Sequence, residues 1–144
     1  MEEIRGIIEE IIFENEENGY KVCAFDMDGE YITIKGVLSY VSPGEYMILQ
    51  GKWESHKEYG EQFAVSSYEK KLPDKIQDIE SFLSSGLIDG VGPVTANMIV
   101  HRFGEDTFHV ILEEPYKLEA LKGISHQKAV KIHETLAQHQ NMSD

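Results

Sequence analysis

Cysteine, positive charge and long apolar runs are all scarce in this chain of 144 residues. Cys23 is the only cysteine, so an intrachain disulfide and a cysteine-based zinc site are excluded, and we expect Cys23 to be buried in a strand. No apolar run approaches the roughly 20 residues that a membrane span needs. The first residues, Met-Glu-Glu, are acidic where a signal peptide is basic. These absences predict a cytoplasmic protein with no membrane partner.

Basic residues are too few for a general affinity for nucleic acid. The chain has 13 Lys and Arg against 26 Asp and Glu, for a net charge of −13. Both halves are acidic: residues 1–72 carry 7 basic and 15 acidic side chains (−8), and residues 73–144 carry 6 and 11 (−5). Proteins that hold nucleic acid usually present a basic face. Any DNA contact is therefore expected to be local and weak, or completed by sequence outside this chain.

Nucleotide-binding loops are also missing. No G-x-x-x-x-G-K-[ST] loop occurs, so nothing would hold the phosphates and metal of a nucleotide. Gly86, Gly90 and Gly92 are spaced differently from a dinucleotide fingerprint, and no predicted strand precedes them. We expect no catalysis, no metal site and no cofactor in this chain.

Residues 1–72 show the alternation of short strands. Strands are predicted over residues 4–13, 20–26, 31–38, 46–53 and 62–68, with turn signals such as Asn18-Gly19 between them. Glycines inside three strands, Gly6, Gly36 and Gly51, are typical of a small, strongly coiled barrel. We predict a five-stranded OB-like β-barrel over residues 1–72. Residues 39–44 leave little room for the usual helix after the third strand, so an SH3-like barrel stays open.

Residues 73–144 instead show helical spacing and predict an all-α unit, which makes the chain α+β with two units. Asp74 is a candidate cap for a first helix that Gly86 ends. Further helices are predicted over residues 94–103 and 107–112, and a last one after a Ser125 cap.

Two glycine-containing turns connect helices of this unit. In the first, Gly90 and Gly92 are both free to take a positive φ, and Pro93 suits the first position of a helix. About thirty residues later, Gly123, Ile124 and Ala129 repeat the spacing of Gly90, Val91 and Ala96. Free amides at such a helix start attract anions, so residues 73–144 are predicted to form a tandem helix-hairpin-helix domain that binds phosphates. The alternative is that each is only a tight connection between helices.

The predicted DNA-contact residues follow from these turns. The first hairpin offers backbone amides and one hydroxyl for contact with phosphates. The second hairpin has Ser125 in place of the second glycine, and its lysines supply positive charge instead. The set is Gly90, Val91, Gly92 and Thr95 in the first hairpin, and Lys122, Gly123, Ser125, Lys128 and Lys131 in the second.

Aromatic residues of the barrel form another candidate surface. Exposed aromatics of such barrels stack on bases, but most here are expected to fill a small core, with Trp53 and Tyr59 as the exceptions for stacking or docking. His126, His133 and His139 lack the compact spacing of metal ligands and are expected to face solvent.

Four stretches together resemble the N-terminal region of bacterial RecD-like ATP-dependent DNA helicases that act without RecB and RecC. They are Phe13-Glu-Asn-Glu-Glu-Asn-Gly-Tyr20, Gly51-Lys-Trp-Glu-Ser-His-Lys-Glu-Tyr-Gly-Glu-Gln-Phe63, and Ser84-Ser-Gly-Leu-Ile-Asp-Gly-Val-Gly-Pro93 followed by Phe103-Gly-Glu-Asp-Thr107. The family commonly has a Lys after the proline, where this chain has Val94 and Thr95. The resemblance implies a region preceding a superfamily 1 motor, which moves 5′ to 3′ on DNA with ATP and magnesium in repair or recombination. The chain is then expected to be a fragment without that motor.

Two function classes follow. The first is a non-catalytic DNA-binding accessory module that contacts phosphates weakly and without sequence preference. The second is a protein-docking module that binds the motor domains of the same polypeptide, another copy or a single-strand-binding protein. Salt separates them, because DNA contacts release counterions and apolar docking does not.

Overall fold

The computed structural model describes residues 1–142 and places them in two compact units, Met1–Lys71 and the residues from Leu72 onward. The predicted boundary lay between residues 72 and 73. Within residues 1–142, no helix is long and apolar enough to cross a membrane.

The first unit is a closed barrel of five strands, as the alternation predicted. The strands are β1 (Glu2–Asn15), β2 (Tyr20–Met27), β3 (Glu30–Val37), β4 (Tyr46–His56) and β5 (Gly60–Lys70). Their order around the barrel is β1-β2-β3-β5-β4; β3 and β5 pair in parallel and all other neighbours are antiparallel. A loop without a helix joins β3 to β4, as the shortness of residues 39–44 indicated.

Glycine allows the barrel to close tightly. A Cβ on Gly51 would lie 1.9 Å from the carbonyl oxygen of Ala64, so only glycine permits β4 and β5 to approach this closely. The barrel interior is apolar, and the fully buried residues include Ile8, Cys23, Phe25, Ile34, Leu49 and Phe63. Burial raises the pKa of the Cys23 thiol to about 11, which fits the expectation of a buried strand cysteine.

The second unit is helical, as predicted. Its helices are α1 (Ile76–Ser84), α2 (Pro93–Phe103), α3 (Thr107–Glu113) and α4 (His126–Met142), with short 3₁₀ segments at Gly104–Asp106 and Pro115–Ala120. The predicted cap of α1 is wrong: the N-cap is Lys75, whose carbonyl accepts from the Asp78 and Ile79 amides at 3.0 and 2.9 Å, so the chain enters the helix one residue after Asp74.

One apolar core holds the helices together and is built from both glycine repeats. Positions 33 residues apart in the two repeats are equally buried. The pairs are Val91 and Ile124, Ala96 and Ala129, and Ile99 and Ile132. The sequence repeat is therefore also a repeat of core packing.

Candidate nucleic-acid interface

The two glycine turns have the same backbone structure. We name residues 88–93 turn A and residues 121–126 turn B. The φ angle of Gly90 in turn A is +85°, and that of Gly123 in turn B is +86°. Glycine is favoured at both places because L side chains disfavour this left-handed conformation. Each glycine is followed by an amide that bonds back: Val91 to the Ile88 carbonyl and Ile124 to the Leu121 carbonyl, both at 3.2 Å.

The helix after each turn also begins in the same way. The Ala96 amide donates to the Gly92 carbonyl and the Ala129 amide to the Ser125 carbonyl, each at 2.9 Å. Gly92 is extended, with φ −101° and ψ −172°, so the expectation of a positive φ there is wrong. N-cap residues take extended backbone, which is why a serine fits the same position in turn B. The Ser125 hydroxyl accepts from the Lys128 amide at 3.1 Å, as the predicted cap requires.

Val91 has to be removed from the predicted contact residues. Its side chain is only 6% exposed and its amide already donates to Ile88, so it presents neither group to a ligand. The exposed part of turn A lies on either side of it. No side-chain cap bond forms at the start of α2 among residues 1–142, where Gly92 and Val94 are exposed. The open amides of this helix start are the ones that could meet an anion.

Lysines of α4 lie beside turn A. A Cβ on Gly90 would lie 3.6 Å from Lys128 Cε, in ordinary contact with that side chain. Lys131 Nζ is 3.9 Å from Asp89 Oδ2, and both side chains are more than 60% exposed, so the attraction between them is weak. The second repeat thus supplies positive charge to the first turn, which the sequence order alone did not indicate.

The cations of the helical unit that lack a carboxylate partner lie in or next to the glycine repeats. Within residues 1–142, no ion pair is found for Lys122, Lys128 or Arg102, whereas Lys117 pairs with Glu114 at 3.2 Å. Arg102 was missed by the sequence analysis. The signal available was that it is one of two arginines in the chain and lies in the helix that follows turn A.

The barrel presents fewer side chains that could contact a nucleic acid than the helical unit does. Trp53 is half-buried: its Nε1 donates to Glu2 at 3.2 Å and its ring contacts Phe63 edge-on at 5.1 Å, so the suggestion that it stacks on bases is not supported by its position. Tyr59 is 69% exposed beside His56, and stays a candidate for stacking or docking.

Lysines of the barrel are mostly occupied by carboxylates. Lys21 is buried and pairs with Glu14 at 3.1 Å. Lys35 pairs with Glu54 at 2.9 Å, and this contact lowers the pKa of the Glu54 carboxyl. Paired lysines add little attraction for phosphates, so the acidic barrel is a poor counterpart for a DNA backbone.

Apolar side chains on the outside of the barrel form a second exposed surface. Phe13 and Val37 are 54% and 60% exposed, and Tyr20 is half-buried between their strands. The Phe13 and Tyr20 rings contact each other edge-on, with centroids 6.4 Å apart. We name Phe13, Tyr20 and Val37 the apolar patch.

The histidines do not assemble a metal site. No group of three or more potential ligands is found among residues 1–142. His126 pairs with Glu119 at 2.9 Å. The expectation that His133 faces solvent is wrong, because it is half-buried and its Nδ1 donates to the Ile111 carbonyl at 2.9 Å across the packed helices. It is wrong for His139 as well, which is half-buried with its ring 5.2 Å from that of Phe82.

Residues 1–73 match the family model described as the OB-fold domain of the ATP-dependent DNA helicase YrrC. The match covers all five strands, which confirms the resemblance to RecD-like helicases for the barrel and decides between the OB-like and SH3-like alternatives. The helix-hairpin-helix character of the second unit stays a prediction.

Proposed function

Because the chain belongs to the family of the OB-fold domain of the ATP-dependent DNA helicase YrrC, we propose that it is a non-catalytic accessory module of a RecD-like helicase, acting in DNA repair or recombination. The motor, with its ATP and magnesium, would lie in other domains of the same polypeptide. In this proposal, turns A and B contact DNA phosphates without reading base sequence.

The observation that carries the proposal is that turns A and B have the same backbone structure and lie beside cations that have no carboxylate partner among residues 1–142. Gly90 and Gly123 share one backbone conformation, and Lys128 packs over the first of them. An exposed helix start beside a lysine is a typical phosphate site. Because only a few cations are involved in a chain of net charge −13, we expect dissociation constants on the order of 10⁻⁴–10⁻⁶ M and a steep loss of affinity with salt.

Fluorescence anisotropy with labelled oligonucleotides of unrelated sequence, titrated at several salt concentrations, tests this proposal. Replacing Lys128 and Lys131 together by alanine should weaken binding and reduce the salt slope by up to about 2. The matched control replaces the exposed barrel residues Lys52 and Lys57, which changes the net charge equally. Asp89→Asn should strengthen binding, since it removes a carboxylate 3.9 Å from Lys131.

The outcomes separate the alternatives. Loss of affinity in the Lys52/Lys57 control alone would move the DNA contact to the barrel. Absence of binding at low salt, or binding unchanged by the α4 variant, would contradict the proposal and leave both turns as structural connections.

The apolar patch favours protein docking as a second candidate function. Phe13 and Val37 are more than half exposed on an acidic barrel, and exposed apolar clusters often mark partner sites. The motor domains, another copy or a single-strand-binding protein are the partners considered. Phe13→Ser should weaken such docking at high salt, measured by calorimetry with each partner, whereas Ile76→Ser, which changes an exposed apolar residue of α1, should not.

A further inference from the structure

A groove runs beside turn B. It is lined by Asn97, Met98, His101 and Arg102 of α2 and by Leu121 at the start of the turn. Its volume is about 630 Å³, within the roughly 300–1,000 Å³ of small-molecule sites. Among residues 1–142, no carboxylate lines the groove. The side-chain amide of Asn97 donates to Glu80, which lies outside the lining, at 3.4 Å.

The internal repeat explains why α2 lies at turn B. Lys131 of α4 approaches Asp89 in turn A, and the residue 33 positions before Lys131 is Met98 of α2. Met98 accordingly lines the groove together with Leu121 of turn B. The two turns therefore differ in their surroundings: turn A faces lysines of α4, whereas turn B lies beside Met98 and the polar side chains of Asn97, His101 and Arg102 in α2.

Positive charge lies beside the two apolar side chains of the groove, Met98 and Leu121. Arg102 is exposed and has no carboxylate partner among residues 1–142, and the same holds for Lys122, which follows Leu121 directly. A guanidinium binds a phosphate through two parallel hydrogen bonds. Two apolar side chains, Met98 and Leu121, beside a phosphate-binding group fit a base attached to its sugar-phosphate, and an intact duplex does not expose such a base.

We propose that this groove binds one unpaired nucleotide of a single DNA strand, with its phosphate at Arg102 and its base against Met98 and Leu121. This inference rests on the proposed DNA contact of the helical unit. It goes beyond that contact because it predicts a preference for single strands, which phosphate binding at the turns does not.

Anisotropy titrations with a labelled oligothymidine, the same strand carrying abasic residues and a duplex of equal length test the proposal. Arg102→Ala should weaken oligothymidine binding about three- to tenfold and duplex binding less than twofold. The abasic strand should bind the natural chain more weakly than oligothymidine does. Arg5→Ala is the matched control: it removes the other arginine, which pairs with Glu3 on the barrel.

Each outcome of these titrations either supports or contradicts the nucleotide site. Selective loss of oligothymidine binding in Arg102→Ala, with Arg5→Ala unchanged, supports the groove. Equal loss for strand and duplex, or equal binding of the abasic strand, overturns the nucleotide site. If Arg102→Ala binds normally while the Lys128/Lys131 variant is weakened, the groove is wrong and the proposed function stands. If the natural chain binds none of the three probes, both fail.

Discussion

Gly90→Ala should destabilise the helical unit, whereas Gly92→Ala should not. Gly90 has a φ of +85°, and Gly92 has a φ of −101°. An L residue in the left-handed region costs about 1–2 kcal/mol, and the lower entropy of the unfolded alanine chain offsets about 0.4–1 kcal/mol of this. Nothing clashes, since the new Cβ would lie 3.6 Å from Lys128. The free energy of unfolding should therefore fall by about 1 kcal/mol.

Gly123→Ala should give the same loss, because its φ of +86° matches that of Gly90. At Gly92 the extended backbone accepts any residue, and open space surrounds the position of a Cβ. Gly92→Ala is thus the matched control, with a change of a few tenths of a kcal/mol. Gly92→Ser should be neutral or stabilising, because it introduces the cap that Ser125 forms in turn B.

Thermal unfolding followed by far-ultraviolet circular dichroism measures these changes. A loss of about 1 kcal/mol lowers Tm by roughly 4–8 °C in a unit of this size. Trp53 is the only tryptophan and lies in the barrel, so its fluorescence reports the other unit separately. Equal losses for Gly90→Ala and Gly92→Ala, or no loss for Gly90→Ala, would refute the assignment of left-handed backbone to the first glycine of each turn.

Three further predictions concern stability. Gly51→Ala should cost the barrel about 3 kcal/mol, read from Trp53 fluorescence in urea, because its Cβ would lie 1.9 Å from the Ala64 carbonyl oxygen; a normal midpoint would contradict the close approach of these strands. Ser125→Ala should cost about 1 kcal/mol in the helical transition, and Ser125→Thr much less, since only alanine loses the cap. Burial raises the pKa of Cys23 from 9.0 to about 11, so the unfolded thiol ionises first. The free energy of unfolding should then hold below pH 9 and fall between pH 9 and 11 by up to about 1.4 kcal/mol per pH unit; an equally steep fall in Cys23→Ala would assign the effect to another group.

Much of the fold could be predicted from the sequence because its signals are local. Alternation in β2 and β3, the Asn18-Gly19 turn and the repeat of Gly90 at Gly123 each depend on residues close in the chain. The ends of the strands were predicted less accurately. Strand β4 extends to His56, three residues past the prediction, because its pairing with β5 continues to Gly60.

The sequence by itself determined the two units, the five strands, the paired turns and the lack of a nucleotide loop, because composition, periodicity and glycine spacing act within short stretches. The tertiary structure alone decided which groups meet. It bonded Trp53 to Glu2, 51 residues away, brought Lys128 to Gly90, and buried Val91. Such contacts depend on strand register and helix packing, which no short stretch of sequence contains.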